Sequence, residues 1–184
     1  MPENKIKTYS IIAAGFGGQG VQFIGKQLAL TGMYLDKKVS CIPSYGAEMR
    51  GGTSNCTVII SDGDMGSPVT DNPDILIAMN LPSYLKFHKT IAKDGCLICN
   101  SSLVSEKSER EDINKYYIPA TDLSYEHNVP MNVIMLGKLI SATGIFTFDE
   151  FAASLEKSLP ESKKRLLDMN IKALKLGFDY ADSE

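Results

Sequence analysis

Apolar residues along this chain fall either in short continuous runs or at the spacing of a helix face, and the two kinds of segment alternate. Short apolar runs bounded by turn residues predict buried strands, whereas a spacing of three or four, as in Val21, Ile24 and Leu28, predicts a helix. The predicted strands are residues 9–14, 39–42, 55–60, 74–79, 96–100 and 115–119. The predicted helices are residues 21–35, 82–91 and 131–143, and a last one with Leu167, Ile171, Leu174 and Phe178 on one face.

The order of these segments predicts an α/β fold. The segment between the second and third strands has no helical pattern and is short for a parallel crossover, so we expect the third strand to run antiparallel to its neighbour. No repeat or linker divides the chain. We therefore expect a single three-layer αβα domain, Rossmann-like, over residues 1–184, with a mostly parallel mixed sheet of about six strands.

Turn and capping residues mark the boundaries of the later helices. Gly144 follows the predicted helix 131–143, at the position where a left-handed residue commonly ends a helix. Thr147 and Glu150 have the spacing of a capping box, and Phe146 and Phe151 have that of a hydrophobic staple. These signals predict that a further helix begins shortly after Gly144.

Composition and charge are those of an ordinary globular protein. The 184 residues are 43% hydrophobic and 22% charged, with a formal net charge of −3, and no basic face argues for a nucleic-acid partner. No apolar run approaches the roughly 18 residues of a membrane span, and residues 1–7 lack the apolar stretch of a signal peptide. We therefore expect a cytoplasmic protein with no membrane partner.

The four cysteines do not form a recognisable metal or cluster motif. Cys96 and Cys99 have the Cys-x-x-Cys spacing, but they lie in a predicted strand, where residues three apart point to opposite faces. Cys41 and Cys56 also lie in strand-like runs, and buried cysteine is common in protein cores. We therefore expect no metal site and no iron–sulfur cluster in this chain.

The most informative motif, GFGGQG at residues 15–20, lies between the first strand and the first helix. Its glycines allow a tight turn, and the N-terminus of the next helix presents N–H groups and a positive dipole end to an anion. An anionic ligand or a carboxylate from another subunit would suit this position. The alternative is the tight turn of a doubly wound domain that binds nothing. The candidate residues are Gly15, Gly17, Gly18, Gln19 and Gly20.

A dinucleotide site is the usual interpretation of such glycines, but the next strand does not support it. A nicotinamide-binding unit carries an acidic residue at the end of its second strand, about 20 residues past the turn. Here Pro43 and Ser44 follow the second strand, and Asp36 precedes it. We therefore expect the chain to bind NAD(H) poorly or not at all.

A second glycine-rich segment, YGAEMRGG at residues 45–52, places Glu48 and Arg50 in a loop. A guanidinium suits phosphate or carboxylate, tyrosine is enriched at interfaces, and the neighbouring glycines leave room for a partner subunit or a shared ligand. The alternative is an ion pair of Arg50 with Glu48 or with another acidic residue of the same chain. The candidate residues are Tyr45, Glu48, Arg50, Gly51 and Gly52.

The two segments, in this order and spacing, resemble those of the gamma subunits of 2-oxoacid:ferredoxin oxidoreductases, and the resemblance extends over nearly the whole chain. Residues 43–53, with 80–83 and 100–102, are similar to the 2-oxoglutarate and 2-oxoisovalerate types, of which we expect the first. The further matching motifs are Ser67-Pro68 before the Asp74-led strand, Leu136-Gly137, and Asn170-x-x-Ala173-x-x-x-Gly177.

This resemblance implies oxidative decarboxylation of a 2-oxoacid to its acyl-CoA, with ferredoxin reduced by the complex. Thiamine diphosphate, Mg²⁺ and iron–sulfur clusters would lie in partner subunits (alpha, beta and delta), and coenzyme A would be the co-substrate. This chain has no Gly-Asp-Gly…Asn thiamine motif, only Gly63-Asp64-Met65 in what we interpret as a hairpin turn. We therefore expect it to bind no cofactor alone and to be inactive outside the complex, with a homodimer as one state of the isolated chain.

Three alternatives to this interpretation stay open. A stand-alone nucleotide-binding oxidoreductase would bind NAD(P) or a flavin tightly. A purely structural subunit would bind no small molecule. A subunit of an indolepyruvate oxidoreductase would share the two glycine-rich segments.

We predict that Arg50→Ala leaves the melting temperature of the isolated chain nearly unchanged, because surface substitutions usually change the free energy of unfolding by less than about 0.5 kcal/mol. The same change should weaken complex assembly or turnover by about 1–3 kcal/mol, since a charged hydrogen bond is lost. Arg50→Lys should restore only part of this, because an ammonium group cannot reproduce a bidentate guanidinium. Unfolding of the lone chain by Arg50→Ala, with normal activity per assembled complex, would instead indicate an internal ion pair.

Overall fold

A computed structural model describes residues 7–45 and 53–181 of the chain as a sheet with helices on both faces. Within those ranges, no helix combines the length and the apolar character needed to cross a membrane. The strands are β1 (Thr8–Phe16), β2 (Lys38–Tyr45), β3 (Thr53–Ser61), β4 (Ile75–Ala78), β5 (Cys96–Asn100) and β6 (Asn114–Ile118). The α-helices are α1 (Val21–Tyr34), α2 (Leu81–Phe87), α3 (Ala120–His127), α4 (Met131–Thr143), α5 (Phe148–Ser158) and α6 (Leu167–Asp179), and His88–Thr90 and Glu161–Leu166 form 3₁₀ segments.

The six strands form one mixed sheet in the order β2-β3-β1-β4-β5-β6. β3 runs antiparallel to both of its neighbours, whereas β1, β4, β5 and β6 pair in parallel. The predicted α/β architecture and the reversed third strand are therefore confirmed. Insertion of β3 between β1 and β2 moves the end of β2 one strand further from the turn after β1.

Apolar side chains pack against both faces of the sheet. The larger core lies under α1, α4, α5 and α6, and the smaller one lies under α2. Successive side chains of β4 point to opposite faces of the sheet, because Ile77 belongs to the larger core and Leu76 to the smaller. Cys96 and Cys99 likewise belong to different cores, which confirms that a strand directs residues three apart to opposite faces. Burial raises the pKa of Cys99 to about 12, as expected of a packed thiol.

Hydrogen bonds at the start of β4 explain why an aspartate leads this strand. The Asp74 carboxylate accepts the Ser10 N–H at 2.8 Å and the Ser10 hydroxyl at 2.7 Å, and the Ser10 hydroxyl also accepts the Asp74 N–H. These bonds tie the beginnings of the two central parallel strands together. They fix the register in which Ile11 pairs with Ile75.

The predicted helix boundaries after α4 are confirmed. Gly144 ends α4 with φ 61°, in the left-handed region. Thr147 and Glu150 form a complete capping box at the start of α5. The Phe146 and Phe151 rings lie 6.0 Å apart, as a hydrophobic staple requires.

One sequence-based expectation about local structure is wrong, and one helix was not expected from the sequence. Residues 62–74 do not form a hairpin around Gly63-Asp64-Met65, because β4 pairs with β1 on the side away from β3, so this connection crosses the end of β1. Helix α3 was not expected at all. Among its residues only Ala120 is buried, so it carries no apolar stripe that a pattern could reveal.

The predicted stripe of α6 packs against the larger core through Leu174, which is fully buried, and through the half-buried Ile171 and Phe178. Small and polar residues that the stripe did not include are also buried, and glycines make the close contact with α4. A Cβ added to Gly177 would lie 2.8 Å from the carbonyl carbon of Ile134, and one added to Gly137 would lie 2.8 Å from the Phe178 nitrogen. The two helix backbones therefore touch directly where these glycines meet. The buried residues of α6 are Asn170, Ala173, Leu174 and Gly177.

We predict that Gly177→Ala lowers the free energy of unfolding by at least the roughly 1–3 kcal/mol typical of overpacking, because the new Cβ meets rigid backbone. Urea denaturation of the full chain measures this effect. Gly66→Ala is the matched control, since a Cβ there would meet no atom within 4 Å. Equal unfolding midpoints for the two variants would contradict direct backbone contact between α4 and α6.

Candidate functional site

The candidate site lies at the carboxyl ends of β1, β4 and β5, where the chain departs to opposite faces of the sheet. α1 follows β1 and packs in the larger core, whereas α2 follows β4 and packs in the smaller one. Open α/β sheets bind ligands in the crevice that such a divergence creates. The glycine motif of residues 15–20 forms one side of this crevice.

The glycines of the motif have two different roles. A Cβ on Gly15 would lie 2.9 Å from both Met79 Cβ and Val21 Cγ2, so Gly15 allows β1, β4 and α1 to pack closely. Gly18 and Gly20 have φ values of 95° and 79°, which favour glycine in a tight turn. A Cβ on Gly17 or Gly18 would meet no atom within 4 Å. Gly17 and Gly18 therefore leave open space above the turn.

Gln19 holds the turn rather than facing that open space. Its side-chain oxygen accepts a hydrogen bond from the Phe16 N–H at 2.7 Å and another from the Asn80 amide nitrogen at 2.8 Å. The Asn80 oxygen in turn accepts the Ser83 N–H at 3.0 Å and caps α2. Gln19 thus joins the turn after β1 to the helix that follows β4.

Polar residues at the ends of the next strands continue this network. The Asn100 amide donates to the Met79 carbonyl at 3.2 Å and to the Thr121 hydroxyl at 2.9 Å. The Thr121 hydroxyl donates to the Met131 sulfur at 3.0 Å, which fixes the first residue of α4. Sequence reasoning had not assigned Asn80, Asn100 or Thr121 to the site. The available signal was an asparagine at or close to the carboxyl end of both β4 and β5.

The first turn of α4 faces the glycine turn across a small depression of about 150 Å³. A Cβ on Gly20 would lie 2.8 Å from the Asn132 Cγ, so only glycine allows this approach. The N-termini of α1 and α4, helices of 14 and 13 residues, therefore meet at one place. Both present unpaired N–H groups and positive dipole ends, an environment that favours an anion. The lining residues are Gly18, Gln19, Gly20, Met131 and Asn132.

A larger groove of about 330 Å³ adjoins this depression and shares Asn132 with it. Its walls are mostly apolar, and Lys26 and Lys163 contribute positive charge. Together the two spaces can accept an elongated molecule with an anionic part at the glycine turn. None of the five residues that line the depression titrates, so the arrangement suits binding rather than acid–base catalysis.

The second predicted segment begins and ends beside the glycine turn. Tyr45, its first residue, and Thr53, which follows it, lie at the same end of the sheet as Phe16, because Tyr45 pairs with Ser54 and Thr53 pairs with Phe16. The Gln22 amide of α1 donates to the Ser54 hydroxyl at 3.0 Å. This bond joins the start of β3 to the first turn of α1, which follows the glycine turn. Glu48, Arg50, Gly51 and Gly52, and the side chain of Tyr45, lie outside the described residues.

We predict that Gln19→Leu lowers the free energy of unfolding by about 1–3 kcal/mol, because the Phe16 N–H and the Asn80 amide lose their acceptor. Gln19→Glu keeps an oxygen at this position and should cost less. A double-mutant cycle with Asn80→Ala, followed by urea denaturation, measures the coupling of the two side chains. Strictly additive effects would contradict a direct energetic link across the crevice.

Comparison with known proteins finds relatives along almost the entire chain. The model of the pyruvate ferredoxin/flavodoxin oxidoreductase family matches residues 10–180. The ketoisovalerate oxidoreductase subunit VorA of Methanothermobacter marburgensis is 36% identical over 172 residues, which cover 91% of this chain and 35% of VorA. This chain thus spans about a third of that relative. The 2-oxoglutarate synthase subunit KorC of Methanocaldococcus jannaschii is 32% identical over 173 residues, 91% of each chain.

Solved structures share the fold. The gamma subunit of a keto/oxoacid ferredoxin oxidoreductase from Geobacter sulfurreducens has a TM-score of 0.77 and 26% identity, over 93% of this chain and 96% of that one. A 2-oxoglutarate:ferredoxin oxidoreductase from Magnetococcus marinus has a TM-score of 0.83 at 22% identity, over 97% of this chain and 34% of that one. The resemblance inferred from the motifs is confirmed: the chain belongs to the pyruvate ferredoxin/flavodoxin oxidoreductase family.

Proposed function

We propose that this chain is the gamma subunit of a multi-subunit, thiamine-dependent 2-oxoacid:ferredoxin oxidoreductase and is inactive alone. The observation that carries the proposal is the match to KorC, which covers 91% of both chains. The fold similarity to a gamma subunit over 96% of its length supports it further. The alpha, beta and delta subunits would be its partners, and ferredoxin would accept electrons from the complex.

Within that complex, we assign to the glycine turn the binding of a coenzyme A phosphate. The open space above Gly17 and Gly18 and the two helix N-termini fit a phosphate group. The adjoining groove has room for further parts of such a molecule. The related enzyme from Magnetococcus marinus was solved with 2-oxoglutarate, coenzyme A and succinyl-CoA bound. Thiamine chemistry and electron transfer belong to the partner subunits, and this chain's residues bind and orient.

The 2-oxoacid is 2-oxoglutarate in our proposal, with 2-oxoisovalerate as the second candidate. KorC relatives favour the first substrate and VorA relatives the second. Asn80 and Asn100, which belong to the short motifs that resemble those two types, use their side-chain amides in hydrogen bonds within the protein. Specificity would therefore come from partner subunits.

We predict that the purified chain alone gives no 2-oxoacid-dependent reduction of methyl viologen with thiamine diphosphate, Mg²⁺ and coenzyme A, whereas co-expression with the subunits encoded beside it gives turnover. In the assembled complex, Gly17→Ala should raise the KM for coenzyme A at least several-fold, because the new methyl group occupies the open space above the turn. Its effect on stability should stay within about 0.5 kcal/mol, since nothing lies within 4 Å of that Cβ.

Gly66→Ala is the matched control in the same complex and should leave the KM unchanged. Initial rates with 2-oxoglutarate and with 2-oxoisovalerate identify the substrate. Robust activity of the lone chain would overturn the subunit proposal. Turnover by the complex with an unchanged coenzyme A KM for Gly17→Ala would leave the subunit assignment intact and refute the role of the turn. Micromolar NADH binding by the lone chain would favour the stand-alone oxidoreductase.

A further inference from the structure

Two cysteines on the neighbouring strands β2 and β3 lie side by side. The sulfurs of Cys41 and Cys56 are 3.4 Å apart. The register pairs Cys41 with Val58 and Pro43 with Cys56, so the two cysteines are diagonal neighbours on one face of the sheet. Cys41 is exposed, whereas Cys56 is completely buried.

Helix α1 lies directly over this pair. A Cβ added to Gly25 would lie 2.9 Å from the Cys56 Cβ and 3.5 Å from the Cys41 sulfur. The glycine therefore lets the helix backbone pack closely against Cys56 and beside the Cys41 sulfur, which stays exposed on its other side. A disulfide bond is about 2.05 Å long, so closing this pair requires the sulfurs to approach by little more than 1 Å. Cys96 and Cys99, which lie in different cores, have no such arrangement.

We propose that Cys41 and Cys56 form a redox-active dithiol, which a small-molecule disulfide oxidises to an intramolecular disulfide joining β2 to β3. The Cys41 thiolate attacks the small disulfide, forms a mixed disulfide and releases one thiolate. Cys56 then loses its proton and attacks the Cys41 sulfur, which releases the second thiolate. Two protein thiols lose two electrons and two protons in total, and the small disulfide is reduced to two thiols.

The burial of Cys56 gives the second step a characteristic pH dependence. Burial, together with the neighbouring Cys41, raises the pKa of Cys56 to about 12. Only the thiolate attacks, so at neutral pH a very small fraction of Cys56 is reactive. The burial of Cys56 persists in the mixed disulfide, so the rate of the second step should rise as the pH increases above neutrality.

The bond would also restrain the segment that sequence analysis singled out. β2 ends at Tyr45 and β3 begins at Thr53, so the bridge would tie the two strands that enter and leave residues 46–52. In the reduced chain the described parts of these strands are joined by the hydrogen bonds of the ladder. Oxidation would thus add a covalent bond between the two strands that flank residues 46–52.

The test treats the reduced full-length chain with oxidised glutathione and follows intact mass and peptide maps. The wild-type chain should lose two hydrogens and map to a Cys41–Cys56 bond that dithiothreitol reverses. Cys56→Ser should stop at a glutathione adduct on Cys41, and Cys41→Ser should not react at Cys56. Cys96→Ala is the control and should behave like wild type. Circular dichroism establishes that each variant is folded.

A second measurement uses only the wild-type chain and so does not depend on variant folding. The mixed disulfide on Cys41 is isolated in acid, and its conversion is followed at about pH 7 and about pH 9, where the rate should be clearly higher at the higher pH because more of Cys56 is thiolate. A stable glutathione adduct at the higher pH, a disulfide-linked dimer through Cys41, or a folded chain whose Cys41 does not react would each overturn the proposal.

Discussion

The candidate site depends on one close approach that leaves no room for a side chain. Gly15 brings the end of β1 against Met79, at the end of β4, and against Val21, in the first turn of α1. Because β1, β4 and α1 meet at Gly15, α1 can start immediately beside the sheet and direct its N-terminus into the crevice. The Gln19 side chain then links the turn to Asn80 and so to α2. Two helices that lie on opposite faces of the sheet are thereby held in one arrangement.

The position of β3 distinguishes this crevice from that of a dinucleotide-binding fold. In the dinucleotide fold the second strand lies beside the first, and its terminal acid reaches the ribose hydroxyls. Here β3 separates β1 from β2, which moves the end of β2 outward by about 4.8 Å, the spacing of one strand. An acidic residue at the end of β2 would no longer face the ligand. This geometry supports the expectation of weak NAD(H) binding drawn from Pro43 and Ser44.

The depression at the glycine turn and the hydrogen-bond network around it are polar, and the residues that form them do not ionise. The side-chain amides of Gln19, Asn80 and Asn100 make hydrogen bonds within the protein, and Asn132 lines the depression. Such groups position backbone and ligand, but they do not transfer protons at neutral pH. This composition agrees with a subunit that binds part of a coenzyme while other subunits carry the reactive groups. It also explains why no single side chain of the crevice indicates the reaction.

The amino-acid sequence by itself determined the features that depend on neighbouring residues. Periodicity located the strands, Gly144 and the Thr147–Glu150 box located helix ends, and the strand period separated Cys96 from Cys99, because local geometry decides each of these. The tertiary structure decided what depends on strand order and backbone contact. The placement of β3 beside β1, the meeting of Asn132 with Gly20, the direct α4–α6 contact at Gly177 and the pairing of Cys41 with Cys56 all join residues distant in sequence. No local sequence pattern predicts these contacts, because they form only when the whole sheet and its helices are packed together.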